Sequence, residues 1–322
     1  MRLLHLILSC ALPTALLAQG AEPFVDYWDA KRGIKKSEGL MVNGREWGEW
    51  RFYDREGHLI EHSEFKAGER DGHVRIYYPG PSPGEGPPRL QHDGFMRRGV
   101  QDSTITSYYA NGQVMERGAY SMGVKSGPWE YFYPDGRPML KERWSNGIPI
   151  VTDAWDRDGE QTVKQGDGWL RAYYPSGAVS ELKRYRAGVP DGEQVEYWPA
   201  GNIKSQGHCT GGLRNGQWKW YGSNGKPEKE TAYVAGKLHG PYTAFRADDG
   251  SVDATGWHKA DKKDSLWTWY AANGKPEMSG PFKEGLREGV WKHWHPNGQL
   301  QGTGAFKADK EQGEWVYYYE GG

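Results

Sequence analysis

Aliphatic side chains are scarce in this sequence. Leu, Ile, Val and Phe together make up 49 of its 322 residues, about 15%. So low a fraction is typical of disordered chains when the net charge is also high, but the formal net charge here is −1. Aromatic residues take the place of the aliphatic ones, with 16 Trp, 20 Tyr and 8 Phe, and Gly reaches 46 residues. This composition favours many short strands joined by tight turns.

Net charge, cysteine and long apolar runs are lacking as well. A near-neutral chain has no general attraction to nucleic acid or anionic lipid, so we expect no nucleic-acid partner. Cys10 and Cys209 are the only cysteines. If Cys10 is removed with a leader peptide, no disulfide can form within the remaining chain. Cys209 is then expected to be a small buried apolar residue.

The apolar run near the start of the chain is too short to span a bilayer. Residues 1–20 instead resemble a secretory signal peptide, with cleavage after Ala18 or Gly20. We therefore expect residues 21–322 to be exported to the periplasm, the outer surface or the medium. No second apolar run follows, so no membrane-spanning segment is expected.

A repeat with a period close to 24 residues runs through the exported part of the chain. Its anchors are Asp26, Trp50, Val74, Ile105, Trp129, Thr152, Leu170, Gln194, Trp218, Tyr242, Trp267, Trp291 and Trp315. Most steps are 24 residues, and single steps are 18, 23, 25 and 31. The third residue after the anchor is aromatic in twelve repeats: Tyr53, Tyr77, Tyr108, Phe132, Trp155, Tyr173, Tyr197, Tyr221, Phe245, Tyr270, Trp294 and Tyr318. Two residues before the anchor, Gly recurs, with Ser103 and Ser265 as substitutes.

Two kinds of turn divide each repeat into two strands. Tyr133-Pro134-Asp135-Gly136 is typical of a type I turn followed by a Gly bulge. About eight residues further on, a second turn follows, as in Tyr233-Val234-Ala235-Gly236. No window shows the 3.6-residue period of a helix. We predict an all-β fold: an elongated, single-layer, twisted antiparallel meander of about 13 two-stranded repeats over residues 21–322. The twelve aromatic residues that follow the anchors are predicted to stack as a structural ladder.

The unit Gly-x-Trp-x-x-Tyr-x-x-x-Gly, followed by a second strand that ends in aromatic-x-x-Gly, resembles the variant MORN repeat. This variant is found in proteins labelled YwqK-family antitoxins, and the resemblance covers about residues 25 to 322. It implies a non-enzymatic repeat scaffold that binds other proteins, and the antitoxin label implies a toxin as the partner. A looser similarity to choline- and glucan-binding repeats is carried by Trp315-Val316-Tyr317-Tyr318-Tyr319, although those repeats are nearer twenty residues.

Catalytic and metal-binding patterns are weak in this sequence. Asp156-Arg157-Asp158-Gly159-Glu160 begins like a calcium loop, but it stands at a turn position, where Asp and Gly are ordinary. His293 and His295 flank Trp294 without an identifiable third zinc ligand. No P-loop, dinucleotide fingerprint or nucleophile elbow is present. We expect no catalytic residue, no cofactor and no metal.

The function predicted from these observations is an exported, non-enzymatic scaffold that binds macromolecules, foremost proteins. The alternative is a cell-envelope glycan binder, which would need aromatic rings lying open in repeated grooves. A protein binder would instead show one irregular patch or an open sheet edge. The candidate edge is the strand containing Trp315, Val316, Tyr317, Tyr318 and Tyr319, which is predicted to pair with a partner or a second copy.

Overall fold

The computed structural model describes residues 20–29, 31–80 and 86–321. Within these ranges every regular element is a β-strand, which confirms the all-β prediction. Since the described residues form no helix, they include none with the length and apolarity for crossing a membrane. Residues 1–19 of the expected signal peptide lie outside the described residues, as do residues 81–85 of segment 79–88, which is rich in Pro and Gly and accounts for the 31-residue step of the repeat.

The described chain forms two compact units, one ending at Pro149 and the other beginning at Ile150. In the first unit, each strand pairs antiparallel with the next one along the chain. Its strands are β1 (Ala21–Asp29), β2 (Ile34–Val42), β3 (Arg45–Tyr53), β4 (Leu59–Lys66), β5 (Glu69–Tyr77), β6 (Leu90–Arg97), β7 (Val100–Tyr108), β8 (Val114–Ser121), β9 (Val124–Phe132) and β10 (Pro138–Ser145).

The second unit continues the same antiparallel order. Its strands are β11 (Ile148–Trp155), which begins two residues before the unit, β12 (Gln161–Lys164), β13 (Asp167–Tyr173), β14 (Val179–Arg186), β15 (Val189–Tyr197), β16 (Ile203–Thr210), β17 (Leu213–Tyr221), β18 (Pro227–Val234), β19 (Lys237–Phe245), β20 (Val252–Lys259), β21 (Lys262–Tyr270), β22 (Pro276–Lys283), β23 (Leu286–Arg287), β24 (Gly289–Trp294), β25 (Leu300–Lys307) and β26 (Lys310–Tyr317). Both β23 and β24 pair with β22, because a single strand is interrupted at Glu288.

Each repeat consists of a leading strand, which carries the anchor, and a returning strand. The leading strands are the odd-numbered ones from β1 to β21, then β23 with β24, and finally β26. The returning strands are the even-numbered ones from β2 to β22, and β25. The hairpin meander predicted from the repeat is therefore present in both units.

The two turns have the geometry that their residues predict. In the first, Gly136 N donates to Tyr133 O at 2.8 Å, and Gly136 has a left-handed φ of 85°. In the second, Ala235 and Gly236 have φ values of 47° and 81°, the pattern of a type I′ hairpin turn. Gly236 N also donates to Arg214 O at 2.9 Å, one repeat earlier. The turns therefore join neighbouring repeats as well as the strands of one hairpin.

The Gly column two residues before the anchor marks a bend in most leading strands, although Phe24 and Ile150 stand there in the repeats of Asp26 and Thr152. Gly216 has a φ of 77° and would meet no atom within 4 Å if it carried a Cβ. Glycine is thus required at this position by the left-handed backbone conformation, and not by steric crowding. Ser103 and Ser265 take the same conformation, at φ values of 61° and 59°. Because a residue with a side chain rarely adopts this backbone conformation, the backbone is strained at both serines.

A tryptophan packed on a glycine forms the core of the Trp repeats. Trp50, Trp129, Trp218, Trp267 and Trp291 are at most 2% exposed. Each indole lies over a Gly eleven residues earlier on the preceding returning strand, where an added Cβ would be only 2.1–2.4 Å from the nearest ring atom. The five indole N–H groups donate to the carbonyl of the next residue of that strand at 3.0–3.2 Å. The glycines under the six anchor tryptophans are Gly39, Gly118, Gly207, Gly256, Gly280 and Gly304.

The twelve aromatic residues predicted to stack as a ladder form no such ladder in the described part of the chain. The members of this column other than Tyr318 are half-buried. Leaving Trp155 aside, no ring pair within the described residues joins two of them; the ring pairs involve the anchors, the residues two positions later and the returning strands. The column supplies backbone carbonyls instead. These accept side-chain hydrogen bonds from the preceding repeat, as when Trp198 Nε1 donates to Tyr221 O at 2.9 Å and Tyr174 donates to Tyr197 O at 2.6 Å.

The phenol groups of this column also bond across the sheet. Tyr53 donates to Glu38 Oε1 at 2.5 Å, and Gln206 Nε2 donates to the Tyr221 oxygen at 3.2 Å. Each partner lies fifteen residues before its tyrosine. Burial, and then the Glu38 carboxylate, raise the pKa of Tyr53 to about 12. The column thus ties a leading strand to the returning strand before it through hydrogen bonds.

Candidate interaction surface

The last described strand, β26, and the two residues that follow it carry the most exposed aromatic side chains of the described residues. Tyr317 is 69% exposed and Tyr319 is 91% exposed, and Val316 and Tyr318 are also exposed. Trp315 is half-buried, whereas the five other anchor tryptophans are fully buried. Four of the five residues predicted at this edge are therefore exposed, and the strand predicted to contain all five ends at Tyr317, with Tyr318 and Tyr319 following it.

The backbone of β26 presents one bonded edge and one outer edge. Tyr317 lies opposite Gly302 and Val316 opposite Thr303, and Tyr318 N donates to Gln301 O at 2.8 Å. Alternate residues of an antiparallel strand point their N–H and C=O groups to opposite sides. The backbone N–H and C=O groups of Val316 and Tyr318 therefore point toward β25, and those of Trp315 and Tyr317 point outward. No other strand of the described residues pairs with this outer edge.

The rings of β26 lack a neighbour that the internal repeats possess. Trp315 and Tyr317 stack with centroids 6.2 Å apart. The equivalent pair, Trp218 and Trp220, is 5.9 Å apart, and Tyr233 of the following returning strand lies 6.4 Å from the first ring and 6.2 Å from the second. The exposure of Tyr317 follows from the lack of such a third ring.

The Trp315 indole also departs from its equivalents in hydrogen bonding. Its Nε1 is buried and has no partner, whereas the five other anchor indoles donate to a backbone carbonyl. A buried donor without an acceptor costs about 1–3 kcal/mol. The last repeat therefore lacks an indole hydrogen bond that the five other Trp repeats form.

Strand β1 is a second edge with exposed aromatic residues. Phe24, Tyr27 and Trp28 are all exposed. Trp28 is nevertheless held in place, because its Nε1 donates to Tyr53 O at 2.9 Å, and Arg55 lies 5.1 Å from the ring centroid. The aromatic side chains of β1 are therefore partly used within the first repeats.

A column of cations covers the tryptophan face in several internal repeats. Lys125 Nζ lies 3.8 Å from the Trp129 ring centroid, and Lys263 Nζ lies 4.3 Å from that of Trp267. Each cation stands four residues before its anchor, and burial lowers the pKa of Lys263. This column of cations was not predicted from the sequence, although its spacing of four residues before the anchor is visible there. In the last repeat the same position is an acid, Glu311.

The opposite face of the sheet is ionic and contains shallow hollows. A hollow of about 480 Å³ is lined by Thr104, Ala119, Pro128 and the ion-paired Glu130, among others. A smaller one of about 230 Å³ occupies the equivalent place 89 residues later, with Lys219 on its rim. Neither lining includes an aromatic residue.

The groups considered for calcium and zinc are engaged in turns and packing. Asp156 is buried, and its Oδ1 accepts from the backbone N–H of Asp158 and of Glu160 at 3.0 and 2.9 Å. His293 packs against Trp315 at 6.1 Å, and His295 Nε2 lies 3.0 Å from Tyr318 O. The turn interpretation of the Asp156 segment is confirmed.

One acidic cluster was not anticipated from the sequence. Ligand atoms of Asp54, Glu56 and His58 lie within 4.8 Å of one another. Asp54 Oδ1 already accepts from the backbone N–H groups of Glu56 and His58, and Asp54 Oδ2 lies 2.8 Å from His58 Nδ1. This cluster has the same turn-forming arrangement as the segment that begins at Asp156.

Cys209 is buried, as predicted. Its thiol lies 3.3 Å from Gln194 Oε1. Burial raises the pKa of the Cys209 thiol, which keeps it in the less nucleophilic protonated form. The residue acts as a small core side chain.

The match to a family model agrees with the repeat architecture. No curated protein matches the chain. A solved structure of the Photorhabdus luminescens Tc holotoxin pore, with a TccC3 mutation, is 10% identical over 90% of this chain and 19% of its own, with a TM-score of 0.21. A crystal structure of TcdB2–TccC3–TEV is 11% identical over 84% of this chain and 16% of its own, with a TM-score of 0.16. The chain spans less than a fifth of these two chains. Four segments, residues 48–67, 190–208, 214–235 and 287–308, match the family model of the MORN repeat variant, so the chain carries repeats of that type.

Proposed function

We propose that this protein is an exported, non-enzymatic repeat scaffold that binds another protein through the outer edge of β26. The observation that carries the proposal is the exposure of Tyr317 and Tyr319 beside backbone groups that face away from β25. A toxin, as the resemblance to antitoxin repeats implies, is one class of partner that this proposal includes.

The distribution of exposed aromatic residues favours protein over glycan. A glycan binder requires open rings in repeated grooves, but the two equivalent hollows have no aromatic lining. The exposed rings of the described residues lie on β1, at the end of β26 and on the two residues after it, with Trp257 as the exposed aromatic of an internal repeat. This pattern is the irregular edge that a protein-binding scaffold should have.

Strand addition is the recognition mode that this edge supports. An extended peptide that pairs with a sheet edge gains affinity from main-chain hydrogen bonds and specificity from side chains on alternate residues. The outward N–H groups of Trp315 and Tyr317 can form the main-chain hydrogen bonds, and the stacked rings of these two residues can select the side chains of the peptide. Glycans cannot form the regular main-chain pairing.

A site-specific photocrosslink tests the proposed edge. Benzoylphenylalanine at position 317, in the protein expressed in its own cells, should yield a crosslinked polypeptide. The matched control is position 266, since Leu266 is 60% exposed and lies on the internal strand β21. Equal crosslinking at both positions, or none at 317, would reject β26 as the docking edge.

Export has its own test. The exported fraction should contain a chain whose first residue follows Ala18 or Gly20. An intact chain that begins at Met1 and stays in the cytoplasm would contradict this part of the proposal.

A further inference from the structure

The internal repeats show what kind of side chain fills the place beside the rings of β26. In the repeats that have a Gly or Ser bend residue two positions before the anchor, the following returning strand sets one residue opposite it. Phe65 lies opposite Gly48, Tyr233 opposite Gly216, and Phe282 opposite Ser265. Across the two units these residues are mostly aromatic, as in Phe65, Tyr120, Trp144, Tyr185, Tyr233, Phe282 and Phe306.

The geometry of this aromatic residue is the same in several repeats. The Phe65 ring meets the Trp50 ring at 6.1 Å and 61°, and the Phe282 ring meets the Trp267 ring at 6.1 Å and 75°. Each also approaches the ring two residues after the anchor, for example Phe52 at 6.0 Å from Phe65. Edge-to-face contacts of this kind contribute about 0.5–1.5 kcal/mol beyond the buried area. The returning strand thus closes each ring cluster with one aromatic side chain.

Strand β26 has the parts that receive such a side chain. Gly313 has a left-handed φ of 68°, like the bend residues of the internal repeats. The Trp315 and Tyr317 rings stack at 24°, close to the 25° of Trp50 and Phe52. Phe306 packs on Trp315 from the preceding strand at 5.3 Å. The arrangement is preorganised on one side and exposed on the other.

We propose that the outer edge of β26 selects an extended polypeptide segment that carries an aromatic residue opposite Gly313. This inference rests on the proposed function and specifies its partner. The segment pairs antiparallel with β26, in the way that each returning strand pairs with its own leading strand. Its aromatic ring lies against the rings of Trp315 and Tyr317. Its aromatic residue stands two positions after the residue opposite Trp315, as Tyr233 stands two positions after Thr231.

The occupant is a segment of another polypeptide, not one of this chain's own returning strands. The strands that show the pattern, such as β4, β18, β22 and β25, are each paired along both edges. A folded second copy therefore has none of these strands to give. A partner with a free extended segment has no such constraint.

A peptide copied from an internal repeat is the most direct probe. The capped, fluorescently labelled peptide of residues 227–234, the sequence of β18, is titrated with the full chain and followed by anisotropy. Binding should be saturable, and the peptide variant Tyr233→Ala should bind at least tenfold more weakly. The peptide variant Glu230→Ala is the matched control, because Glu230 lies opposite Lys219 on the other face; its affinity should be unchanged.

Variants of the protein localise the binding. Tyr317→Ala should weaken the β18 peptide at least fivefold, and Leu266→Ala should leave it unaffected. If the parent peptide and its Tyr233→Ala variant bind equally, aromatic selection is wrong while strand addition survives. If the parent peptide does not bind, the inference is wrong even where position 317 crosslinks to a protein. If the chain instead dimerises and Tyr317→Ala makes it monomeric, a second copy is the occupant and the inference is overturned.

Discussion

Gly207→Ala probes the contact on which the core of a Trp repeat depends. Gly207 lies under the fully buried Trp218, and an added Cβ would be 2.4 Å from the ring carbon Cδ2. The backbone of Gly207 is not left-handed, so the substitution brings steric crowding without backbone strain. Trp218 has little room to move, because its Nε1 donates to His208 O at 3.0 Å and Arg214 covers its ring at 4.4 Å.

The expected loss is about 3 kcal/mol of local stability. Overpacking a core costs about 1–3 kcal/mol, and releasing a buried Trp costs about 3–5 kcal/mol. The added methyl group either overpacks the core with Trp218 in place or displaces Trp218 from the core. Because repeat arrays can unfold in parts, the appropriate assay is hydrogen exchange resolved by segment, with the denaturation midpoint as a second readout. Exchange should accelerate in β16 and β17 far more than in β3 and β4.

Two controls make the prediction refutable. Gly216→Ala has a left-handed φ and open space around it, so it should cost only about 1–2 kcal/mol of backbone strain. In a Trp218→Val background, Gly207→Ala should cost under about 1 kcal/mol, because Ser63 already lies below Val74 at the equivalent place. A Gly207→Ala protein as stable as the parent, or equally destabilised with and without Trp218, would refute the Trp-on-Gly account.

Three further predictions concern strain, charge and ionisation. Ser265→Gly relieves a left-handed φ of 59° and should raise stability by about 0.5–1 kcal/mol in denaturant titrations; a loss of stability would contradict the strain assignment. Glu311→Lys introduces the cation that stands four residues before Trp129, Trp218, Trp267 and Trp291, and should stabilise the last repeat by about 0.5–1 kcal/mol and slow exchange in β26, whereas Glu314→Lys should do neither. Tyr53 should ionise with a midpoint near pH 12 in ultraviolet titration. Because its folded pKa is raised, the stability that it contributes is present below pH 10 and is lost as the pH rises through 12. Glu38→Gln should lower that midpoint, and an unchanged midpoint would exclude the carboxylate as a cause.

The repeat and its turns could be predicted because their chemistry is local. Left-handed backbone at Gly136 and Gly236 follows from the residue type alone, and a period near 24 residues is visible in the aromatic columns. The hairpin order then follows, since consecutive strands joined by short turns must pair antiparallel. These features depend on a few residues at a time.

The roles of the columns required contacts between strands. Alternation places Tyr221 on one face and Trp218 on the other, but it does not say which face is the packed one. The twelve aromatic residues were assigned to ring stacking, whereas the structure gives that part to the anchors, to the residues two positions later and to the returning strands. A signal did exist: Gly stands eleven residues before all six Trp anchors, while Ser63 and Thr231 stand there before Val74 and Tyr242.

The candidate surface was predictable in position but not in detail. Residues 315–319 were predicted as one open, aromatic edge strand, whereas β26 ends at Tyr317 and the next two residues follow it. Which backbone groups face outward depends on the register with β25, where Tyr318 N is bonded to Gln301 O and Tyr317 is not.

Amide hydrogen exchange at Tyr317 and Tyr318, measured with and without the captured partner, shows whether β26 binds its partner by strand addition. In the free protein, the Tyr318 amide, bonded to Gln301 O at 2.8 Å, should exchange more slowly than the outward Tyr317 amide. When the partner binds by strand addition, Tyr317 should become at least tenfold more protected and Tyr318 should change less. A Tyr317 amide that exchanges equally fast in the free and bound protein would contradict the account.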